Sequence, residues 1–545
     1  MKYTNRLILC FALVCASIVC FAQSPIIEWQ KILGGTKRDN GYSVVQAEDG
    51  SFILAGSTES NDSDVTGNHY TWGPAYDFWI VKIDSSGFIL WQKCYGGSFD
   101  DVATCIQQTR DSGFIVAGFS DSYDGDVIGS HSNLWLSNYD YWIIKLDRYG
   151  NIQWQKCLGG TSNDQATSIV QTAEGGYILS GLSMSADGDV TGHHGSNGTG
   201  PDFWIVKLDS SGNIQWEKSL GCLNWNFDCY VDQVQDGGYE MVGTVGYNDA
   251  DVIFHYPGNS GDLWVVKLDS IGTYQWQRTI GGSGDDDARF IMATADGGSF
   301  TGGCTTSNDY DVSGLHGGRD AWLVKLDSSG SIEWQHCYGG TGDEGANFLS
   351  RKNYGDLILS GHGGSNDGDL TNNSGYFDYW IFKTDSVGNL LWQKDVGGLD
   401  LDEAFSAKEC RDGGTIVVGT TGSDNIPNFI GGANCNGGSF PCEDIWAIKL
   451  SALGLNVEEP PLEKIDITTY LSEASDLQIR FTSRSNDDAS IMLCNAVGQV
   501  LSVKVLQLKQ GINMVDFNVS SFAKGVYYIK VNGKDTFGVK DFIRD

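Results

Sequence analysis

The sequence is short of basic residues, with 35 Lys and Arg against 69 Asp and Glu and a formal net charge of -34. Such an excess of negative charge disfavours binding to nucleic-acid phosphates or to anionic membranes. Methionine is also scarce, with 6 residues against 72 glycines. Abundant glycine in a chain that is 41% apolar predicts many turns between short strands, and therefore an all-β protein.

Several motifs are missing. No C-x-x-C pair suggests a zinc site, and the sequence has no G-x-S-x-G, H-E-x-x-H or P-loop string. Beyond residue 22, no apolar stretch is long enough to span a membrane. We therefore assign no catalytic residue and no cofactor from motifs, and we expect no membrane span in the mature chain.

The N-terminus has the features of a secretory signal peptide. Lys2 and Arg6 precede an apolar run from Leu7 to Phe21, and Ala22 supplies a small residue before Gln23. A membrane anchor is one alternative, but the run is shorter than the roughly 20 residues that span a bilayer. A lipoprotein site at Cys20 is another, but Val19 is bulkier than the small residue that such a site prefers. We predict a signal peptide over residues 1–22.

Eleven of the fourteen cysteines follow this segment, in a chain whose export permits oxidation. Two pairs are close enough in sequence to close short rings, Cys222 with Cys229 and Cys435 with Cys442. We predict a disulfide in each pair. Cys94, Cys157 and Cys337 each follow a tryptophan by three residues, and we interpret them as small core residues.

Two tryptophan repeats dominate the sequence. The first set lies mostly in W-Q-K strings at intervals of 58 to 63 residues, and comprises Trp29, Trp91, Trp154, Trp216, Trp276, Trp334 and Trp392. The second set lies in the pattern D-x-W-x-x-K, and comprises Trp79, Trp142, Trp204, Trp264, Trp322, Trp380 and Trp446. A repeat of about 60 residues indicates a ring or solenoid of identical units.

Each unit contains two predicted hairpins with glycine in their tight turns, so it supplies four antiparallel strands. Four-stranded units that expose two apolar faces are typical of β-propeller blades. Seven units predict a seven-bladed propeller over residues 23–457. The strand around Trp29 precedes the first complete unit, and the last unit lacks its W-Q-K strand, so the N-terminal strand is predicted to close the ring.

The string Lys207-Leu208-Asp209, followed by Gly212 and Trp216, resembles the tryptophan-docking strand of quinoprotein-like propellers. That resemblance implies that each tryptophan packs between neighbouring blades, and it implies no quinone chemistry because the adjacent cysteine pair is missing. The N-D-G-D-V and D-x-W-x-x-K-x-D strings also resemble the propeller repeats of secreted Bacteroidetes proteins.

A second domain follows a short linker at residues 458–463, which contains Pro460 and Pro461. Residues 464–545 predict a small β-sandwich. The strings at 491–500 and 523–531 resemble the type A C-terminal sorting domain of type IX secretion. This resemblance implies passage through the type IX machinery and a secreted or cell-surface location. An ordinary accessory β-sandwich is the alternative.

The long loops of all blades are predicted to emerge on one face, which is rich in acids. One set follows Gly-Gly and comprises Asp39, Asp101, Asp164, Asp286, Glu344 and Asp402. The other set forms D-x-D pairs: Asp62 and Asp64, Asp124 and Asp126, Asp187 and Asp189, Asp249 and Asp251, Asp309 and Asp311, Asp367 and Asp369. The D-x-D oxygens suit calcium, whereas capping of turns by the same side chains is the competing interpretation.

Histidines follow four of the D-x-D pairs, at His69, His131, His194 and His316. Because a catalytic group is usually needed once, a residue repeated in several blades favours a packing role. The fourth repeat instead carries Trp225 and Phe227 between Cys222 and Cys229, where exposed aromatic rings could stack on a ligand. A long insertion from Gly422 to Asp444 is the other irregular loop on this face.

We expect a monomeric surface or secreted binding protein whose ligand, a glycan or another protein, contacts the acidic loop-rich face. A propeller hydrolase that uses two loop carboxylates is one alternative, because such folds host that chemistry. A structural surface protein is another. Two carboxylates facing one pocket, one of them with a raised pKa, would favour the hydrolase.

Overall fold

The computed structural model of the 545-residue chain describes residues 24–70, 73, 75–131, 138–195, 200–223, 226–258, 261–351, 355–423, 426, 443–452, 467–471, 476–483, 488–495, 500–533 and 537–544. The predicted signal peptide, the linker, Trp225, Cys435 and Cys442 lie outside these residues. The chain divides into two compact units, Met1–Leu453 and Gly454–Asp545. The predicted all-β class is confirmed, since the described residues contain strands and no helix. None of them therefore forms a helix long and apolar enough to cross a membrane.

In the described part of the first unit, the strands form seven four-stranded antiparallel sheets, which we call blades one to seven. Blade one contains β2 (Asp39–Gln46), β3 (Phe52–Thr58), β4 (Asp77–Ile83) and β5 (Ile89–Tyr95). Blade two contains β6 (Asp101–Gln108), β7 (Phe114–Ser120), β8 (Asp140–Leu146) and β9 (Ile152–Leu158). Blade three contains β10 (Asp164–Gln171), β11 (Tyr177–Ser183), β12 (Asp202–Leu208) and β13 (Ile214–Leu220). Blades four and five contain β14 (Asn226–Gln233), β15 (Tyr239–Val245), β16 (Asp262–Leu268), β17 (Tyr274–Ile280); and β18 (Asp286–Ala293), β19 (Ser299–Thr305), β20 (Asp320–Leu326), β21 (Ile332–Tyr338). Blade six contains β22 (Glu344–Arg351), β23 (Leu357–Gly363), β24 (Asp378–Thr384) and β25 (Leu390–Val396). Blade seven contains β26 (Asp402–Glu409), β27 (Thr415–Thr421), β28 (Asp444–Leu450) and β1 (Ile27–Leu33).

The N-terminal strand completes blade seven. β1 pairs antiparallel with β28, with Trp29 opposite Lys449 and Ile32 opposite Trp446. The strand order in this sheet is β1-β28-β27-β26, so residues from the two ends of the unit share one blade. This is the pairing that the position of Trp29 ahead of the first repeat led us to expect.

The blades meet through their innermost strands, β2, β6, β10, β14, β18, β22 and β26. Each of these contacts the innermost strand of the next blade, and β26 contacts β2. Between blades seven and one, the Val44 amide donates to Ser406 Oγ at 3.3 Å. The sheets are therefore joined in a continuous ring around a central axis.

The first tryptophan set packs between blades, as its resemblance to docking strands implied. Trp29 of β1 lies against Gly87 in blade one, and Trp91 lies against Gly150 in blade two. Gly87 has φ of 84°, and a Cβ there would come within 3.1 Å of the Trp29 ring. The turn therefore needs glycine both for its backbone conformation and for the ring beside it.

The second tryptophan set is fully buried within the blades. Trp79 Nε1 donates to Gln92 Oε1 at 2.8 Å, and Trp142 donates to Gln155 at 2.9 Å. Of the three cysteines interpreted as small core residues, Cys157 and Cys337 are buried, whereas Cys94 is partly buried and packs against the core.

The described strands of the second unit form two sheets. One has the order β29-β30-β33 and the other β32-β31-β34-β35. The strands are β29 (Thr468–Leu471), β30 (Asp476–Ser483), β31 (Asp488–Asn495), β32 (Val500–Gln507), β33 (Gly511–Asn518), β34 (Gly525–Gly533) and β35 (Phe537–Arg544). Leu477, Ile479, Phe481, Leu493 and Ile529 belong to one buried apolar cluster that both sheets supply.

Candidate functional site

Every innermost strand carries a β-bulge near its middle. In each one, the pairing with the next strand skips a single residue, which is left without a partner in the ladder. A bulge re-aims the side chain of the extra residue. We call these seven residues the bulge ring: Tyr42, Thr104, Thr167, Asp228, Arg289, Asn347 and Phe405.

Glycine opposite the bulge makes this arrangement possible. The partner strand has Gly56, Gly118, Gly181, Gly243, Gly303, Gly361 or Gly419 at this place. In six blades, a Cβ on this glycine would lie 1.8–2.2 Å from a carbonyl oxygen of the bulged strand. In blade four the bulge falls one residue earlier, at Asp228, which has φ of 50°. Any side chain opposite the bulge would thus displace backbone atoms.

One side of the bulge ring is charged. Arg289 Nη1 lies 3.4 Å from Asp228 Oδ2 in the neighbouring blade. Glu403 Oε1 accepts a hydrogen bond from Asn347 Nδ2 at 2.9 Å and lies 3.2 Å from His362 Nδ1. These contacts link blade four to blade five and blade six to blade seven through polar groups.

The two carboxyl groups of this side have opposite pKa shifts. Burial raises the pKa of Asp228, and the charges of Arg289 and Arg319 only partly oppose that effect. Burial also acts to raise the pKa of Glu403, but His362, Asn347 and Arg289 outweigh it and hold that pKa below its usual value. Glu403 is therefore the group that stays ionised over the wider pH range.

The other side of the ring has aromatic and hydroxyl groups. The rings of Tyr42 and Phe405 lie 5.3 Å apart at the junction of blades one and seven. Thr104 Oγ1 donates to the Ala166 carbonyl of blade three at 2.9 Å, and Thr167 Oγ1 donates to the Cys229 carbonyl of blade four. At the bulged positions, blades one, two, three and seven therefore contribute aromatic rings and hydroxyl groups and no charged group.

A cavity of about 550 Å³ occupies the axis of the ring of blades. All seven innermost strands line it, from the level of Arg289, Asn347 and Phe405 to the strand ends at the tight hairpins. Lys408 and Ser350 are among the lining residues nearer those hairpins. A cavity of this size that combines aromatic and charged groups is typical of a ligand site.

The acids of the Gly-Gly loops do not enter this cavity. Asp286 is fully buried and accepts hydrogen bonds from the Gly282 amide at 2.7 Å and from Ser307 Oγ at 2.9 Å. Equivalent bonds are made by Asp39, Asp101, Asp164, Glu344 and Asp402. In blade four, Asn226 takes the same place and accepts from the Cys222 amide at 3.0 Å. These side chains hold the loops between blades.

The first acid of each D-x-D pair also caps a loop. Asp124 accepts from the Ser98 amide at 2.7 Å and from Ser98 Oγ at 2.8 Å. Asp62, Asp187, Asp309 and Asp367 accept from the equivalent amide and hydroxyl, whereas Asp249 accepts from the Leu223 amide. In the part of the chain that the structure describes, no three His, Cys, Asp or Glu side chains are grouped so that they could hold a metal ion. Calcium binding by Asp124, Asp126, Asp187, Asp189, Asp309, Asp311, Asp367 and Asp369 stays a prediction.

The repeated histidines anchor their loops. The His69 amide donates to Asp77 Oδ2 at 3.0 Å, and His69 Nδ1 lies 2.6 Å from the same oxygen. His131, His194 and His316 contact the first residues of β8, β12 and β20 in the same manner. This geometry supports the packing role that repetition favoured.

The irregular loop of blade four differs from its prediction. Cys222 and Cys229 form no disulfide in the structure and are both buried thiols. Cys222 Sγ lies 3.3 Å from Asn226 Oδ1, whereas Cys229 is inside β14. Because a strand advances about 3.3 Å per residue, β14 carries Cys229 away from the loop that holds Cys222.

Phe227, the described member of the predicted aromatic pair, is 49% exposed. It precedes the bulge residue of β14 and is not among the residues that line the cavity. Most of the Gly422 to Asp444 insertion lies outside the described residues. The predicted loop-face site and the axial cavity are thus two different places.

Sequence reasoning missed the bulge ring and the cavity below it. One signal was present, since each innermost strand has eight residues whereas its partner has seven. A second signal was the variety of residues at the bulged position, in a chain whose tryptophans, turn glycines and loop-capping acids recur from blade to blade. Aligning the seven innermost strands by their buried first residue would have exposed both signals.

These sheets define the first unit as a β-propeller, and a comparison with known families identifies the second. Residues 473–544 match the model of the secretion system C-terminal sorting domain. The chain therefore carries a type IX sorting domain, and the protein is secreted or displayed at the cell surface.

A curated relative shares part of the chain. The regulatory protein FlaEY of Caulobacter vibrioides is 26% identical over 391 residues, which cover 66% of this chain and 39% of that protein. The chain thus spans well under half of that relative's length.

Solved structures are similar at low sequence identity. BBS1N, solved in complex with ARL6DN, is 8% identical with a TM-score of 0.41 over 79% of this chain and 99% of that chain. A mutant puromycin hydrolase, solved in complex with PGG, is 10% identical with a TM-score of 0.43 over 82% and 59%. The Pan2 WD40 domain of Neurospora crassa is 12% identical with a TM-score of 0.33 over 58% and 74%. The fold assignment rests on the seven sheets themselves.

Proposed function

We propose that this exported propeller binds a saccharide in its axial cavity. The observation that carries the proposal is the bulge ring, in which seven equivalent positions of a repeating scaffold are held by six different residue types, and six of the seven residues line one cavity. A residue that recurs in every blade solves a local packing problem, as Asp39 and its counterparts do. A position that differs from blade to blade serves a purpose that the molecule needs once.

The chemistry of the lining supports a saccharide. Tyr42 and Phe405 offer ring faces on which the C–H face of a sugar can stack. Arg289, Asn347 and Glu403 line the same cavity with donors and acceptors suited to hydroxyl groups. Glu403 stays ionised through its contact with His362, and a charged acceptor makes stronger hydrogen bonds than a neutral one.

Two single substitutions distinguish this site from the loop-face site. We expect Phe405→Ala to weaken binding of a glycan selected on an array by at least about tenfold, because the ring contributes buried contact area to the ligand. Phe227→Ala is the matched control, since Phe227 is an exposed aromatic residue outside the cavity. Calorimetric titration of both variants measures the effect. Loss of binding in Phe227→Ala alone would move the site to the loop face.

A hydrolase is the second candidate, and the opposite pKa shifts of Asp228 and Glu403 on either side of Arg289 favour it. Glycosidases need one carboxyl group that keeps its proton and one that is ionised. Asp228 contacts Arg289 but does not line the cavity. We therefore favour ligand binding over hydrolysis as the function.

Turnover of the bound glycan tests the hydrolase candidate. If the pair is catalytic, the wild-type protein releases reducing ends, and Glu403→Gln lowers that rate by about 100-fold or more while the glycan still binds. Thr167→Ser in the same ring is the control and should keep the wild-type rate. A glycan that binds and stays intact over a long incubation excludes the hydrolase.

A further inference from the structure

Lys408 is a cation that reaches the axial cavity without an acidic partner. It is the seventh residue of β26, and the same place in the other innermost strands is held by Val45, Gln107, Val170, Asp232, Met292 and Ser350. Its Nζ lies 4.4 Å from the centroid of the Phe348 ring. Within the described part of the chain, the ammonium group of Lys408 makes no ion pair and no hydrogen bond.

Burial lowers the pKa of Lys408, and the charges of Cys105 and Asp232 only partly oppose this effect. Withdrawing an ammonium group from water is costly unless an anion or several acceptors replace the lost hydration. The cavity therefore contains a positive charge that its own lining does not neutralise by contact.

Ser350, at the same strand position as Lys408, supplies a second donor that has no hydrogen-bond partner in the described structure. It is 5% exposed and lines the same cavity from blade six, the neighbour of blade seven. Its hydroxyl oxygen is buried and has no hydrogen-bond partner among the described residues. Buried hydroxyl groups are nearly always paired, so Ser350 leaves one unused donor beside the cavity.

The acid at the same strand position in blade four, Asp232, already binds backbone amides. Asp232 Oδ1 accepts from the Gln233 amide at 2.8 Å, and Asp232 Oδ2 accepts from the Ala293 amide at 2.9 Å. Both oxygens are thus engaged with backbone groups, and burial raises the pKa of this carboxyl. The other charged residues of the lining are Arg289, Arg351, Glu403 and Glu409.

We propose that Lys408 and Ser350 bind a compact anionic group, a carboxylate or a sulfate, on the saccharide that the cavity takes. This inference rests on the proposed function and names the class of sugar that the cavity prefers. The ammonium group supplies charge, the serine hydroxyl supplies a directional hydrogen bond, and the Phe348 ring holds the lysine in place. The negative charge of the whole protein is screened beyond about 10 Å at moderate salt, so it does not prevent such binding.

Calorimetric titration of the whole protein with matched sugars tests the proposal. The probes are glucose and glucuronate, N-acetylglucosamine and its 6-sulfate, and acetate and sulfate alone. We expect each acidic sugar to bind at least about tenfold more tightly than its neutral partner, as a charge-assisted hydrogen bond in a cavity allows. A stronger response to glucuronate than to the sulfated sugar assigns the carboxylate, and the reverse assigns the sulfate.

Variants assign the effect to the two residues. Lys408→Met should remove the preference for acidic sugars, and Ser350→Ala should reduce it, while binding of neutral sugars is unchanged. Lys218→Met, on strand β13 away from the cavity, is the matched control and should behave as wild type. Melting temperatures of all three variants verify that they fold.

The possible outcomes distinguish failure of the anion site from failure of the proposed saccharide binding. If the acidic sugars bind Lys408→Met as tightly as they bind the wild type, but bind Phe405→Ala less tightly, the anion site is overturned and saccharide binding is retained. Acetate or sulfate that binds through Lys408 while no sugar binds supports the anion site and overturns the saccharide. Absence of binding by every probe overturns both.

Discussion

Replacing Asp395 by serine is expected to raise the free energy of unfolding by up to about 4 kcal/mol near pH 7, and by less than about 1 kcal/mol near pH 4. Asp395 is in β25, and both of its carboxyl oxygens are buried without a hydrogen-bond partner among the described residues. Burial, followed by the charges of Asp378 and Glu344, raises the pKa of Asp395 to about 8, and only a weak interaction with the Val396 amide opposes this.

The sign of the effect follows from the direction of this shift. A carboxyl group whose pKa is higher in the folded protein than in the unfolded chain stabilises the fold only while it is protonated. Its contribution is complete below the unfolded value of about 4 and is lost as the pH rises towards 8. The wild-type protein should therefore lose stability between these limits, and the serine variant should lose less.

Other buried acids act in the same direction. Burial raises the pKa of Asp286 and Asp262 to about 7 and that of Asp39 and Asp164 to about 6. Their contributions also fall as the pH rises from about 4 to 7, so Asp395→Ser should flatten the pH dependence without abolishing it.

Blade three provides the matched control. Ser219 occupies the position of Asp395 in that blade and donates to the Thr191 carbonyl at 2.9 Å. The reverse change, Ser219→Asp, should destabilise the protein near neutral pH and have a smaller effect in acid. Urea unfolding followed by tryptophan fluorescence measures both variants, because all 17 tryptophans precede residue 454 and report on the propeller unit alone. Equal stability of wild type and Asp395→Ser at neutral pH contradicts the prediction.

The repeated parts of this fold could be predicted because every blade solves the same physical problem. Trp91 must fill the gap beside the next blade's turn, and Gly150 must leave room for it, so both recur at a fixed interval. The pairing of β1 with β28 could also be predicted, because Trp29 precedes the first complete unit and the last unit lacks its own W-Q-K strand. The sorting domain was recognised from two short strings of residues.

The site was not predicted because it depends on what differs between blades. Arg289 reaches the cavity only because a bulge shifts the register of β18 by one residue, and alternation of apolar residues does not locate a bulge. Asp395 was missed for a related reason, since its counterparts Cys94, Cys157 and Cys337 suggested a uniform core position. In both cases the prediction used the residues that the blades share, whereas the missed feature depends on a residue that differs from its counterparts.

The second prediction with a large expected effect concerns the glycine opposite the bulge of blade five. Gly303→Ala is expected to lower the free energy of unfolding by about 3 kcal/mol or more, at the upper end of the cost of overfilling a packed site. A Cβ on residue 303 would lie 2.2 Å from the Asp287 carbonyl oxygen and 2.8 Å from Arg289 Cγ. The first of these atoms belongs to the backbone of β18, so relief requires the strand itself to move.

That movement also gives the variant a functional consequence. If the bulge closes, Arg289 leaves its place beside Asp228, and ligand affinity falls in the fraction of molecules that still fold. Gly73→Ala is the control, because a Cβ at residue 73 would meet no atom within 4 Å. Urea unfolding and sugar titration of the two variants check the prediction, and a Gly303→Ala protein as stable as Gly73→Ala would contradict it. Since the same glycine faces the bulge in every blade, its loss in blade two, through Gly118→Ala, should cost similar stability without removing a charged group from the site.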